Sequence, residues 1–120
     1  MAVDTGQNAF RRGVMSLVIL GLLKREDMYG YQLVQETARL SEGKLTTQEG
    51  SLYPVLYRLQ EEGLISDKRV QVGKRMTRIY YHLEEAGAQR LDELIKEYRE
   101  TTQAVYRIAN IEGGADSESI

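Results

Sequence analysis

The sequence predicts a mainly α, α+β fold in which three helices precede a two-stranded hairpin and a long fourth helix. Three observations carry this expectation: an apolar stripe at helical spacing over Leu52, Val55, Leu56 and Leu59, strict alternation along Arg78 to Leu83, and a seam of three-and-four steps from Leu91 to Ile108. With 120 residues, the chain has enough material for one modest core and one appended element.

Taken in order, residues 1 to about 9 are small and polar, and Phe10, Arg11 and Arg12 lead into Val14, Met15, Leu17, Val18, Ile19, Leu20, Leu22 and Leu23. A helix that is apolar nearly all round must be covered on more than one side, and a second copy of the chain is the economical cover. This first helix should stop at Lys24-Arg25-Glu26-Asp27, where basic residues suit the helix end and Asp27 is placed to cap the next helix. The second helix is expected from roughly Met28 to Leu40, with Leu33, Val34, Thr37 and Ala38 inward. Ser41 to Lys44 reads as a turn, and the cap-forming residues of Leu45 to Ser51 open the third helix. Pro54 lacks an N–H and is cheap only in a first turn, which argues for a start close to Ser51.

Gly63 supplies a left-handed stop, and an extended segment follows from Leu64-Ile65 through Val70 and Val72. After a turn at Gly73-Lys74-Arg75, the returning strand sets Ile79, Tyr81 and Leu83 on one face and Arg78, Tyr80 and His82 on the other. From Glu84 the pattern is helical, with Leu91, Leu94, Tyr98, Thr101, Val105 and Ile108 forming the seam. At about 1.5 Å per residue such a helix runs roughly 40 Å, too long to fold back on so small a domain. The small, acidic end from Gly113 to Ser119 is expected to be disordered.

Composition removes several function classes. The absence of cysteine excludes disulfides, thiolate nucleophiles and cysteine-ligated zinc. The longest apolar run is about ten residues, half of what a bilayer crossing needs, and no secretory signal is visible at the N-terminus, so a soluble, cytoplasmic protein is expected. The net charge of −2 conceals an asymmetry: residues 1–83 hold 12 basic and 9 acidic side chains, residues 84–120 hold 4 and 9. Lys68, Arg69, Lys74, Arg75 and Arg78 form a basic run without an intervening acid, a local concentration that phosphates select. No catalytic constellation is present, and neither a cofactor nor a metal is expected: His82 has no cysteine and no evident acid beside it, Ser51 has no partner histidine, and no glycine-rich phosphate loop occurs.

Three helices and a hairpin in this order make a winged helix-turn-helix, whose third helix enters the major groove while the hairpin touches flanking backbone. With the stripe at 52, 55, 56 and 59 inward, about 100° per residue turns Ser51, Tyr53, Pro54, Tyr57 and Arg58 outward. Arg58 offers forked donors to a guanine edge or a phosphate, and the tyrosines offer hydroxyls and rings. Thr46, Thr47 and Ser51 near the helix start suit a phosphate. Lys74, Arg75 and Arg78 complete the candidate DNA face. Competing readings stand beside each assignment: Tyr53 and Tyr57 packed on the hairpin or second helix, Arg58 paired with Glu61 or Glu62, and a hairpin that is merely solvated.

The chain resembles the PadR family of transcriptional regulators in three segments: Leu20-Gly21-Leu22-Leu23 with Met28-Tyr29-Gly30-Tyr31-Gln32-Leu33, Gly50 to Ile65 with its Ser51-Leu52-Tyr53-Pro54 run, and Arg78 to Leu83 with Ala86-Gly87. The resemblance spans roughly Val14 to Ile111. It departs from the family at Leu83-Glu84-Glu85, where threonine commonly follows leucine, and at a longer, less glycine-rich wing turn. It implies a homodimer in which the first and last helices interlock, binding double-stranded DNA as a repressor often released by small aromatic or drug-like compounds. On this basis Tyr31 joins the DNA candidates. Residues 10–83 are expected to form the DNA-binding domain, 84–111 the dimerisation helix and 112–120 a disordered tail. Val14, Leu17, Val18, Leu91, Leu94, Tyr98, Val105 and Ile108 are the dimerisation candidates, and Met15, Ile19 and Tyr98 the candidate lining of an effector pocket. The expected operator is pseudo-palindromic, with half-sites about ten base pairs apart. The rival expectation is a winged-helix module that binds a protein partner instead of DNA.

Overall fold

The computed structural model describes residues 6–110, with side chains described from residue 13 onward. Helix α1 spans Gly6–Arg25, β1 Met28–Tyr29, α2 Gly30–Leu40, α3 Glu49–Glu61, β2 Ile65–Val72, β3 Met76–Leu83 and α4 Glu85–Ala109. The expected tail at 112–120 lies outside the described residues.

The stripe on α3 lies where its spacing put it: Leu52, Val55, Leu56 and Leu59 are all buried, together with Ile19, Leu20, Leu22 and Leu23 of α1 and Leu33 of α2. Four helix-spaced apolar side chains of this size, removed from water, contribute on the order of 1.5–3 kcal/mol each. The stripe therefore fixes which face of α3 is left outside. Gly63, at φ +76°, ends α3 as foreseen, with the amide of Leu64 donating to the Leu59 carbonyl (3.0 Å) and that of Gly63 to the Gln60 carbonyl (2.9 Å).

Several expectations require correction. The second helix starts at Gly30, because Met28 and Tyr29 form the short strand β1, which pairs antiparallel with β3 through Met28↔Tyr81 and Tyr29↔Tyr80. The sheet thus has three strands in the order β1-β3-β2, and the hairpin is anchored through β3, its central strand. Two residues are too few to show a period, so β1 carried no sequence signal of its own. Asp27 does not cap α2: its N-cap is Tyr29, without a side-chain hydrogen bond, and the Asp27 carboxylate instead lies 2.8 Å from His82 Nδ1 and 3.8 Å from Lys68 Nζ. His82 therefore does have an acid beside it, supplied by a loop 55 residues earlier. Helix α3 begins at Glu49, so Pro54 sits in its second turn. The missing N–H leaves the Gly50 carbonyl without its helical donor. Helix α1 starts at Gly6, four residues before the expected lead-in at Phe10.

The boundary drawn at residue 84 divides roles more cleanly than it divides packing. Gly87 and Leu91 of α4 are buried within the winged-helix core. A Cβ at Gly87 would overlap the Leu64 carbonyl oxygen and come within 2.6 Å of Leu83 Cδ1, so only glycine lets α4 pass this close to the base of the hairpin. Beyond Leu94 the helix runs into solvent, with Ile95, Tyr98, Val105 and Ile108 exposed.

Candidate nucleic-acid interface

Burial of the α3 stripe leaves Ser51, Tyr53, Pro54 and Tyr57 on the open side of the helix. Tyr57 is the most exposed aromatic of the group, at 69%, against 40% for Tyr53. The two tyrosines are held differently. Tyr53 donates its hydroxyl to Glu49 Oε2 (3.2 Å) one turn earlier, and burial together with the Glu49 charge raises its phenol above the ordinary value. This pair sits over the first residue of α2, where a Cβ on Gly30 would come within 3.1 Å of the Tyr53 hydroxyl. Gly30 thus serves close approach between the two helices.

Beside this contact, a cleft of about 250 Å³ opens between the starts of α2 and α3 and strand β3, lined by Tyr29, Tyr31, Glu49, Tyr53, Arg78 and Tyr81. Tyr31 is 51% exposed on its rim. The Tyr81 side chain belongs to the core, and burial, with the nearby phenol of Tyr53 and the carboxylate of Asp67, pushes its phenol up to about 12. Glu49, Tyr29 and Gly30 were not among the sequence-derived site residues. The Met28-Tyr29-Gly30 motif was the available signal, hidden by its reading as helix.

The hairpin presents Lys74 and Arg75 at its tip, both exposed. Gly73 takes the turn at φ +75°, and Gln71 Nε2 donates to the carbonyls of Gly73 (3.3 Å) and Lys74 (3.5 Å). The turn is therefore braced by a side chain while its two cations stay free to meet phosphate. Arg78 is less available than expected: its guanidinium lies 4.3 Å from the centre of the Tyr29 ring, and Tyr29 meets Tyr80 edge to face at 5.4 Å. Stacking of this kind holds the guanidinium plane while leaving donors at its rim.

Arg58 has a partner that helical spacing did not suggest. It does not project with Tyr57, nor does its guanidinium go to Glu61 or Glu62; Nη2 donates to Ser16 Oγ of α1 at 2.7 Å in a half-buried position. A flexible four-bond side chain can swing to the neighbouring helix, which spacing on a helical wheel does not register. Thr46 is exposed, and Thr47 is half-buried with its hydroxyl 3.4 Å from the Gln48 carbonyl. Neither caps α3, whose N-cap Gln48 has no side-chain cap bond.

Of the dimerisation candidates, Val14, Leu17 and Val18 are half-buried, as is Leu94. Leu91, at 3% exposure, is consumed by the chain's own core, whereas Tyr98, Val105 and Ile108 are 44%, 51% and 87% exposed. Ile19 is fully buried, so it cannot line an open pocket with Met15 and Tyr98 unless the core repacks. Among the described residues no group of three or more potential ligands could hold a metal ion, and no helix is long and apolar enough to cross a membrane.

Residues 19–93 match the Transcriptional regulator PadR-like family. The chain is 39% identical over 87 residues to the "Transcriptional regulator YqjI" of Escherichia coli K12, an alignment covering 72% of this chain and 40% of that protein; the chain thus spans about two fifths of that relative's length. A PadR-like transcription factor from Bacteroides fragilis superposes with a TM-score of 0.70 at 32% identity, covering 85% of this chain and 96% of that one. Bacillus subtilis PadR, solved in complex with operator DNA, superposes with a TM-score of 0.64 at 26% identity, covering 68% of this chain and 47% of that one. The buried α3 stripe, the anchored hairpin and the long α4 agree with these matches, and the chain belongs to the PadR-like family, whose members are transcriptional regulators rather than enzymes.

Proposed function

We propose that the protein is a cytoplasmic, homodimeric repressor that sets two copies of α3 in successive major grooves of a pseudo-palindromic operator. The observation that carries this reading is the exposure, on one chain, of Tyr53 and Tyr57 on α3 and of Lys74 and Arg75 on the hairpin. The chain thus offers both an amphipathic edge that can reach bases and cations that can meet phosphate. Ser51, Pro54, Thr46, Thr47 and Tyr31 flank this edge, and Arg78 stands at its sheet side. The operator complex of Bacillus subtilis PadR supports the choice of double-stranded DNA as partner.

A second copy would cover the apolar surface that one chain leaves open: half-buried Val14, Leu17 and Val18 on α1, and exposed Ile95, Tyr98, Val105 and Ile108 on α4. In this reading two-fold symmetry of the protein matches symmetry of the operator. A small aromatic effector would act at the covered surface near Met15 and Tyr98.

Selection of duplexes from a randomised pool, followed by gel shift and footprinting, tests the reading. The expected result is a footprint with two-fold symmetry and half-sites about one helical turn apart, together with affinity that falls as salt rises. Recovery of a protein partner with no duplex retained would favour the interaction-module alternative and overturn this one.

A further inference from the structure

A side-chain hydrogen bond between residues 42 positions apart in sequence joins α3 to α1: Arg58 Nη2 donates to Ser16 Oγ at 2.7 Å. Its two ends have different surroundings. Arg58 follows Tyr57, the most exposed aromatic of α3, by one residue, or about 100° of helical rotation. Ser16 sits in the middle of Val14 to Val18, five consecutive half-buried residues on a helix that packs against both α3 and α4. A shift of α1 is therefore carried by one bond to the side chain next to the one that faces outward.

Two further features make this bond influential. Pro54 removes the helical hydrogen bond to the Gly50 carbonyl, so α3 is less firmly held by its own backbone just before Tyr57. The acceptor is a neutral hydroxyl rather than a carboxylate, so the bond positions Arg58 without the strength of an ion pair and can be broken by a modest rearrangement. A guanidinium meant chiefly to lock two helices together would be better served by a carboxylate.

We infer that Arg58 and Ser16 are positioning residues: their hydrogen bond finely adjusts the rotation of α3, whose outward face the buried stripe fixes, and couples the α1 surface to the face offered to DNA, and Arg58 does not itself read the duplex. This rests on the DNA-binding reading above. Its test is a double-mutant cycle on duplex binding with Ser16→Ala, Arg58→Gln and the double variant, and with Ser16→Thr as the hydroxyl-retaining control, after thermal unfolding has verified that each variant folds.

The expected result is a roughly tenfold loss of affinity for the selected duplex in each single variant, the size of one charge-assisted hydrogen bond carried through to the bound state. The double variant should lose no more than either single one, Ser16→Thr should bind as the unaltered protein does, and the slope of log affinity against log salt should not change. If Arg58→Gln alone weakens binding and flattens the slope by about one unit, Arg58 contacts phosphate directly and the inference is overturned. Tighter binding by Ser16→Ala, additive losses, or no loss in either single variant would overturn it equally. Failure of the unaltered protein to retain any duplex would overturn the DNA-binding reading itself, and the role of the bond with it.

Discussion

Replacement of Lys74 and Arg75 together by alanine isolates the electrostatic contribution of the hairpin. Both side chains are exposed at the tip, and the turn beneath them is braced by Gln71 and by Gly73 at φ +75°, so the double variant should keep the fold. Each phosphate neutralised adds about −0.9 to the slope of log affinity against log salt. Two cations per hairpin therefore account for about 1.8, and a dimer with both hairpins seated for about 3.6. Between roughly 0.05 and 0.2 M salt, a slope difference of that size changes relative affinity by about two powers of ten. Fluorescence anisotropy with a labelled duplex at four or five salt concentrations reads the slope directly. An unchanged slope, whatever the absolute affinity, would remove the hairpin tip from the mechanism and refute the reasoning.

Other expectations follow from packing and charge. Gly87→Ala places a Cβ against the Leu64 carbonyl and the Leu83 side chain, and chemical denaturation should register a loss on the order of 1–3 kcal/mol, as for other overpacked sites. Glutamate at Val105 and Ile108, both exposed on α4, should convert a dimer to a monomer in sedimentation equilibrium without lowering the helical signal, whereas an unaltered mass would exclude that face from the interface. The Tyr81 phenol, pushed up to about 12 by burial, gives a definite pH dependence. The unfolded chain releases this proton near the ordinary tyrosine value of about 10, so the stabilisation is complete below that pH and is lost progressively as pH rises toward 12. Tyr81→Phe should flatten this part of the stability profile, and an equal fall in both proteins would assign the loss to other groups.

The parts of the fold that rest on periodicity were legible in the sequence. The α3 stripe, the inward face of β3 and the glycine stop at Gly63 each depend on spacing within a single element, and spacing is what a sequence displays. The misread parts depend on contacts between elements. Strand β1 exists because Met28 and Tyr29 pair with Tyr81 and Tyr80, and two residues display no period. Asp27 finds His82, and Arg58 finds Ser16, across distances of 55 and 42 residues. Leu91 fits the α4 seam by spacing, yet the core takes it because Gly87 brings that turn against the hairpin base. In the candidate site, the outward tyrosines and the cations of the hairpin tip were legible for the same reason the stripe was. The Glu49–Tyr53 pair over Gly30 and the cleft beside it were not, since they form only where two helix starts meet.

The most direct test of the central claim is crosslinking from position 57. A photoreactive phenylalanine analogue replacing Tyr57 should crosslink to the selected duplex within the protected half-site, while the same analogue at Leu91, buried in the core, should not. Absence of DNA crosslinking from position 57, in a variant that still shifts the duplex, would contradict the assignment of the outward face of α3 to the groove.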